Sequence, residues 1–137
     1  MDLTIKIKEG LGDMRFDMPI EKIHSLMGEA SEVENIYNAA DEPTTVLHYN
    51  NDGITLFFEG EEPTLQCIDV SNEDCTLFDA DIFNLSEKEI VKLVVEHKYL
   101  EQDVDTEDWG EKRVSFNDAN IDFYFNKGEL VSVILGK

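Results

Sequence analysis

The sequence predicts an α+β fold in which two tandem αβββ-like halves form one antiparallel sheet with helices packed on one face. Three observations predict it: an internal repeat, two stretches with apolar residues at helical spacing, and several short segments of alternating apolar and polar residues. The chain has 137 residues, 42% of them hydrophobic, which suits one core. We therefore expect a single domain over residues 1–137, with a pseudo-repeat of about 1–67 and 68–137.

The repeat is found when the sequence is aligned with itself at an offset of 67 residues. Identical pairs at this offset include Ile23 with Ile90, Ile54 with Ile121 and Phe58 with Phe125, and conservative pairs such as Phe57 with Tyr124 accompany them. A half of this length buries only enough apolar surface to be marginally stable alone. We therefore expect the halves to share a core, with a chance match between two amphipathic αβ stretches as the alternative.

Each half is expected to contain one helix. In the first half Pro19 suits the first helical turn and Gly28 suits the end of the helix. In the second half Ser86 and Glu89 have the spacing of a capping box, and the apolar stripe continues as far as His97.

Three strands are expected after each helix, because apolar and polar residues alternate there with period two. They are predicted at residues 45–49, 54–59, 65–69, 113–116, 121–125 and 130–135. The turn residues from Asn50 to Gly53 predict a hairpin between the first two. An opening strand is predicted at residues 3–7, and residues 29–44 have no readable pattern.

The charge of the chain is strongly acidic and unevenly distributed. There are 31 Asp and Glu against 11 Lys and Arg, a formal net charge of -20. Residues 23–87 include fifteen acids and neither Lys nor Arg. Such a surface repels nucleic acid and anionic membrane and speeds encounter with a cationic protein. We expect a basic protein partner and no nucleic-acid or membrane partner; charge that serves only solubility is the alternative. Self-repulsion at this charge favours a monomer when free, with a dimer joined through sheet edges as the alternative.

The sequence motifs give no support to catalysis or metal binding. The phosphate-binding glycine loop, Gly-x-Ser-x-Gly, His-Glu-x-x-His and Cys-x-x-Cys are missing, and the three histidines are scattered. Asp108 stands where a calcium loop would need its turn glycine. We therefore expect a protein that is not an enzyme, with no cofactor and no metal.

Cellular location is predicted from the N-terminus and the cysteines. The first residues have no apolar run of signal-peptide length, and no stretch is long and apolar enough to span a membrane. Cys67 and Cys75 are expected to be reduced thiols, and a disulfide between them is the alternative. We expect a cytoplasmic protein.

The candidate partner-binding residues are acids near the repeat junction and around the single tryptophan. They are Asp69, Glu73, Asp74, Asp79, Asp81, Asp103, Asp105, Glu107, Asp108 and Trp109. The second group is expected in an acidic loop, where an aromatic anchor ringed by polar residues suits a binding hot spot. Trp109 as a core residue at the sheet edge is the alternative. A second candidate surface is the open sheet face, toward which alternation turns Phe57 and Tyr124.

Small size, acidic charge, an α+β pattern and missing catalytic motifs together resemble the bacterial immunity proteins of contact-dependent growth inhibition and other polymorphic toxin systems. The repeated helix-plus-sheet unit also resembles the tandem architecture of β-lactamase inhibitor proteins, which are disulfide-bonded. The first resemblance implies a non-catalytic protein that binds and neutralises a cognate toxin domain, often a basic nuclease. Its carboxylates would replace the phosphates that a nuclease binds.

Two other functions remain open at this stage. One is an acidic regulatory, adaptor or nucleic-acid-mimic protein that binds a housekeeping cationic protein. The other is a small-molecule-binding α+β domain with a pocket between helices and sheet, which predicts a concave site with convergent polar groups.

Overall fold

The computed structural model describes residues 1–36, 43–107 and 109–137. Within these residues the chain has a mixed α+β fold, mostly β, with two helices and two sheets. The α+β class predicted from the patterning is therefore confirmed, and the second sheet was not predicted.

The smaller sheet has five short strands from two parts of the chain. They are β1 (Thr4–Lys6), β2 (Gly10–Leu11), β3 (Met14–Arg15), β8 (Thr76–Leu77) and β9 (Ala80–Asp81). Their order is β3-β2-β1-β8-β9, and β1 pairs with β8 in parallel. The predicted opening strand is present as β1, but it belongs to this sheet and not to the large one.

The larger sheet has eight strands, all paired antiparallel. They are β4 (Glu32–Ile36), β5 (Thr44–Tyr49), β6 (Ile54–Glu59), β7 (Thr64–Val70), β10 (Gln102–Thr106), β11 (Glu111–Phe116), β12 (Ile121–Asn126) and β13 (Glu129–Gly136). Their order is β10-β11-β12-β13-β7-β6-β5-β4, so β13 pairs with β7 at the centre. All six strands predicted after the helices are present, within two residues of their predicted bounds.

Both predicted helices are present, α1 at Ile20–Met27 and α2 at Glu87–Glu96. The capping box at the start of α2 is confirmed, since the Glu89 N–H donates to Ser86 Oγ at 3.2 Å and the Ser86 N–H donates to Glu89 Oε1 at 3.0 Å. Helix α1 ends at Gly28, whose φ of 77° lies in the region that favours glycine.

The core is formed by alternate residues of the large sheet together with residues of the helices and the small sheet. On β6 and β12 every second side chain is at most 2% exposed, and the intervening ones are partly exposed. The buried helix residues Ile23, Ile90 and Val94 belong to the same cluster. One face of the large sheet is thus buried in this core, and the other face is left for solvent or a partner.

Two strands of the large sheet were missed by the sequence reading. Residues 103–107 were expected in a loop, but Asp103 and Asp105 lie in β10, and β4 lies in the stretch without a readable pattern. All five residues of each strand are exposed, so neither carries the buried alternation that predicts a strand. Trp109 is 66% exposed, which makes the core position considered for it wrong.

Candidate functional site

The structure separates the sequence-predicted site residues into three places. Asp69 on β7 and Asp103 and Asp105 on β10 lie on the face of the large sheet that points away from the core. Glu107 and Trp109 follow β10 at the edge of that sheet. The residues away from this face are Glu73 and Asp74, between β7 and β8, Asp79, in the turn after β8, and Asp81, in β9. Asp108 lies outside the described residues.

A single row of cross-strand neighbours runs across this open face through all eight strands. From one edge to the other it consists of Asp103, Ser115, Asp122, Ile134, Asp69, Thr55, His48 and Glu32. Seven strand spacings of about 4.8 Å make the row roughly 34 Å long. The large sheet therefore brings two of the predicted acids, Asp103 and Asp69, into line with two acids that were not predicted, Asp122 and Glu32.

Three further carboxylates flank this row, at Glu34, Glu59 and Asp105. We call seven carboxylates of this surface the acidic face: Glu32, Glu34, Glu59, Asp69, Asp103, Asp105 and Asp122. Glu111, at the start of β11, lies on the same side of the sheet. Among the strand positions described for this surface, Arg113 is the one Lys or Arg. Lys112, its neighbour in sequence, points to the other side and donates to Glu87 of α2 at 2.8 Å.

The middle of the acidic face contains an apolar cluster beside Asp69 and Asp122. Phe57, Cys67, Ile134 and Tyr124 lie there on four different strands, each partly exposed. The prediction that Phe57 and Tyr124 turn away from the buried face is confirmed by their register, since both alternate with buried neighbours. An apolar centre with a charged surround is the usual anatomy of a protein-binding surface.

The electrostatics of the site show how close its acids are. Burial raises the pKa of the Cys67 thiol to about 11, and the carboxylates of Asp69, Asp122 and Glu59 add to the increase. Burial alone raises the pKa of Asp69, with no hydrogen bond or opposite charge to offset it. The pKa of Tyr124 is raised by burial first and then by Asp122. A cation brought to this surface would stabilise the ionised form of every one of these groups.

Unsatisfied polar groups also occur on this face. Ser115 is 3% exposed and its Oγ has no hydrogen-bond partner among the described residues; the same holds for the Nε of Arg113. The Arg113 guanidinium reaches Asp103 only at 3.4 Å. Buried polar groups without partners cost stability, so this part of the face is poorly satisfied in the isolated chain.

A hydrogen-bonded chain of Glu34, His48 and Thr55 crosses three strands of the same face. His48 Nε2 lies 2.6 Å from Glu34 Oε1, and His48 Nδ1 lies 3.4 Å from Thr55 Oγ1. A hydroxyl, an imidazole and a carboxylate in this order can form a nucleophilic triad. Here Asp69 is the cross-strand neighbour of Thr55. Its negative charge would oppose an oxyanion at that position, so the arrangement suits cross-strand stabilisation better than acyl transfer.

The cavity at the start of α1 lacks the convergent polar groups of a small-molecule site. It has a volume of about 610 Å³ and lies between the start of α1 and the β6–β7 turn, and its lining includes Glu21, Glu61 and Glu62. It is a half-open surface cleft whose carboxylates repel one another. Among the described residues no group of three or more His, Cys, Asp and Glu is arranged to hold a metal ion.

The described residues form a mixed α+β fold with one acidic, partly apolar sheet face. Comparison with protein-family models, curated proteins and solved structures found no match to this chain. No described helix has the length and apolar character that crossing a membrane requires.

Sequence reasoning missed four members of the acidic face: Asp122, Glu32, Glu34 and Glu59. The signal for Asp122 was available, because it lies between Ile121 and Phe123 in a strand whose alternation had been recognised. The same alternation places Asp122 on the face away from the core, beside Tyr124. Glu32 and Glu34 lie on β4, which carries too little apolar alternation to be recognised as a strand.

Proposed function

We propose that this protein is a non-catalytic binding protein and that its acidic face docks on a basic protein domain. The observation that carries the proposal is the row of carboxylates across the large sheet around a partly exposed apolar centre. Negative charge across such a surface steers a cationic partner and fixes its orientation. The apolar centre, with Phe57 and Tyr124, supplies the area that is removed from water on binding.

The specific form that we propose is an immunity protein that neutralises a cognate toxin domain, with a basic nuclease as the toxin. A nuclease presents a cationic surface to phosphates, and the acidic face offers carboxylates over a span of roughly 34 Å, estimated from strand spacing. Duplex DNA advances about 3.4 Å along its axis for each phosphate of one strand, so a span of this length corresponds to roughly ten base pairs. We further propose that the protein acts in the cytoplasm, which agrees with its free Cys67 and Cys75.

The architecture that we propose for this role is two pseudo-equivalent halves that join at the β7–β13 pair. Strands β5 and β11, β6 and β12, and helices α1 and α2 each begin 67 residues apart. In this arrangement the helices cover the buried face of the large sheet and leave the acidic face free. A net charge of -20 favours a monomer before the partner binds.

The test is capture of the partner from the source cell with two charge-matched variants. The face variant carries Glu32→Gln, Asp105→Asn and Asp122→Asn, none of which breaks an ion pair within the described residues. The control variant carries Asp13→Asn, Glu21→Gln and Glu62→Gln, three exposed acids off the acidic face. Each triple changes the formal net charge from -20 to -17.

One basic partner should be recovered in stoichiometric amount by the wild type, and its association should slow as salt increases. We expect the face variant to associate about 10-fold more slowly or worse and the control to stay within about 2-fold. Equal effects of the two triples would contradict the assignment to this face. If the recovered partner is a housekeeping cationic protein, the protein has a regulatory role and not the neutralisation of a toxin. Recovery of no basic partner would refute the proposal.

A further inference from the structure

Strand β10 forms one edge of the large sheet and is exposed along its whole length. It pairs with β11 on one side, and no described strand pairs with it on the other. Val104 in its middle is 46% exposed, and Leu100 and Trp109, just beyond its two ends, are each 66% exposed. An exposed edge with apolar side chains is a template for another strand.

The backbone hydrogen bonds show which groups of β10 are free. The Asn117 N–H donates to the Glu101 carbonyl at 2.9 Å, and the Glu107 N–H donates to the Glu111 carbonyl at 2.8 Å. In an antiparallel pair the residues that exchange both bonds alternate along the strand, so Asp103 and Asp105 also bond to β11. Val104 and Thr106 therefore direct their backbone N–H and C=O groups outward, where an added strand would bind them.

A second copy of this chain is a poor occupant of that edge. In an antiparallel pair of two β10 strands centred on Val104, Asp103 of each copy would lie opposite Asp105 of the other. Like charges directly opposite each other destabilise a strand pair. Other copies are therefore repelled, and a strand with positive charges at the same positions is attracted.

We propose that β10 binds an extended strand of the partner in which Lys or Arg alternates with apolar residues. The basic side chains would lie beside Asp103 and Asp105 on the acidic face, and the apolar ones beside Val104 on the opposite side. The free backbone groups of Val104 and Thr106 would add main-chain hydrogen bonds, as in other strand-addition complexes. This inference rests on the proposed basic partner and names the way in which the partner is held.

The experiment uses the full chain and three synthetic nine-residue peptides of equal charge. The first alternates Lys and Val. The second has the same sequence with N-methyl groups on alternate residues, so that the backbone along one edge of the peptide strand cannot donate hydrogen bonds. The third contains the same residues with the lysines grouped together. Binding is measured by titration calorimetry, and hydrogen exchange of the Val104 and Thr106 amides is followed by NMR.

We expect the alternating peptide to bind at least 10-fold more tightly than the other two and to slow amide exchange at Val104 and Thr106. In the chain itself, Val104→Pro should abolish this preference, since it removes an outward N–H without breaking the β10–β11 ladder. Val104→Ala keeps the N–H and should retain most of the preference. The amide spectrum of each variant shows that it is folded.

Equal binding of all three peptides would overturn the strand-addition inference. It would not affect the proposal that the protein binds a basic partner. If the peptide slowed amide exchange at β4 instead of β10, the choice of β10 as the binding edge would be overturned. No binding by any peptide would overturn the inference as well, and the capture experiment then decides separately whether the proposed function survives. Dimerisation through β10 in the wild type would overturn the argument from like charges.

Discussion

Neutralising Asp69 should make the protein more stable and its partner complex weaker. The Asp69 carboxylate is half-buried, and burial raises its pKa above the usual value of 3.8 without an offsetting hydrogen bond or cation. Because the folded protein then holds a proton more firmly than the unfolded chain, stability decreases as pH increases from about 3.8 through the raised pKa. Above that window the ionised carboxylate lowers the free energy of unfolding.

The size of the effect is limited by the exposure of the group. A half-exposed carboxylate keeps much of its hydration and its charge is screened, so we expect Asp69→Asn to raise the free energy of unfolding at pH 7 by roughly 0.5 kcal/mol. For a domain of this size this corresponds to an increase in Tm of about 2 °C. The same substitution removes a central charge of the acidic face and should slow association with a basic partner.

Thermal unfolding followed by circular dichroism from pH 3 to pH 8 measures the effect. The difference between wild type and Asp69→Asn should be present at pH 7 and disappear as pH falls through the window. The exposed Asp13→Asn variant serves as the control, because it also removes one negative charge but takes it from a carboxylate that is not buried. A variant that is less stable than wild type at pH 7, or that gains no more than the control, would refute the reasoning.

Three further predictions concern the fold and the thiols. Ser86→Ala removes the Oγ that accepts the Glu89 N–H at the start of α2 and should cost about 1 kcal/mol, or roughly 4 °C in Tm, whereas exposed Ser25→Ala in α1 should cost less than half of this. Phe123→Ala empties a fully buried site that packs edge-on against Phe116 at 6.3 Å between ring centroids and should cost about 3–5 kcal/mol in urea unfolding. Cys67, with a pKa of about 11, should react with a disulfide reagent at pH 7.5 at least 100-fold more slowly in the folded protein than in denaturant; equal rates would contradict its burial among carboxylates.

Much of the fold was predictable because the inner strands are buried on one face, and this burial gives their sequences an alternating pattern of apolar residues. Where one face is buried, as at Ile54 to Phe58, alternation fixes the strand and the direction of each side chain. The helices were located by local chemistry, since a capping box such as Ser86 with Glu89 stabilises a helix start whatever packs around it.

The edges and the pairing order were not predictable in the same way. Strands β4 and β10 exist because β5 and β11 offer them free backbone groups, and their own side chains remain exposed. A strand formed by backbone pairing alone has little apolar pattern to detect. The candidate site shared this difficulty, because the row that joins Asp103 to Asp69 depends on β13 pairing with β7, a contact between distant parts of the chain.

The arrangement of the acids on the large sheet is itself an argument for a partner. Asp122 and Asp69 flank Ile134 and are two strand spacings apart, about 10 Å. Their repulsion is then about 0.4 kcal/mol in bulk water and about 1.7 kcal/mol at an effective dielectric of 20. A solubility device avoids this cost by spreading charge over the surface, and it has no need of acids beside a half-buried apolar centre. The large sheet keeps this repulsion between acids on one face, and an incoming cation would relieve it. A binding surface for a basic protein requires both properties.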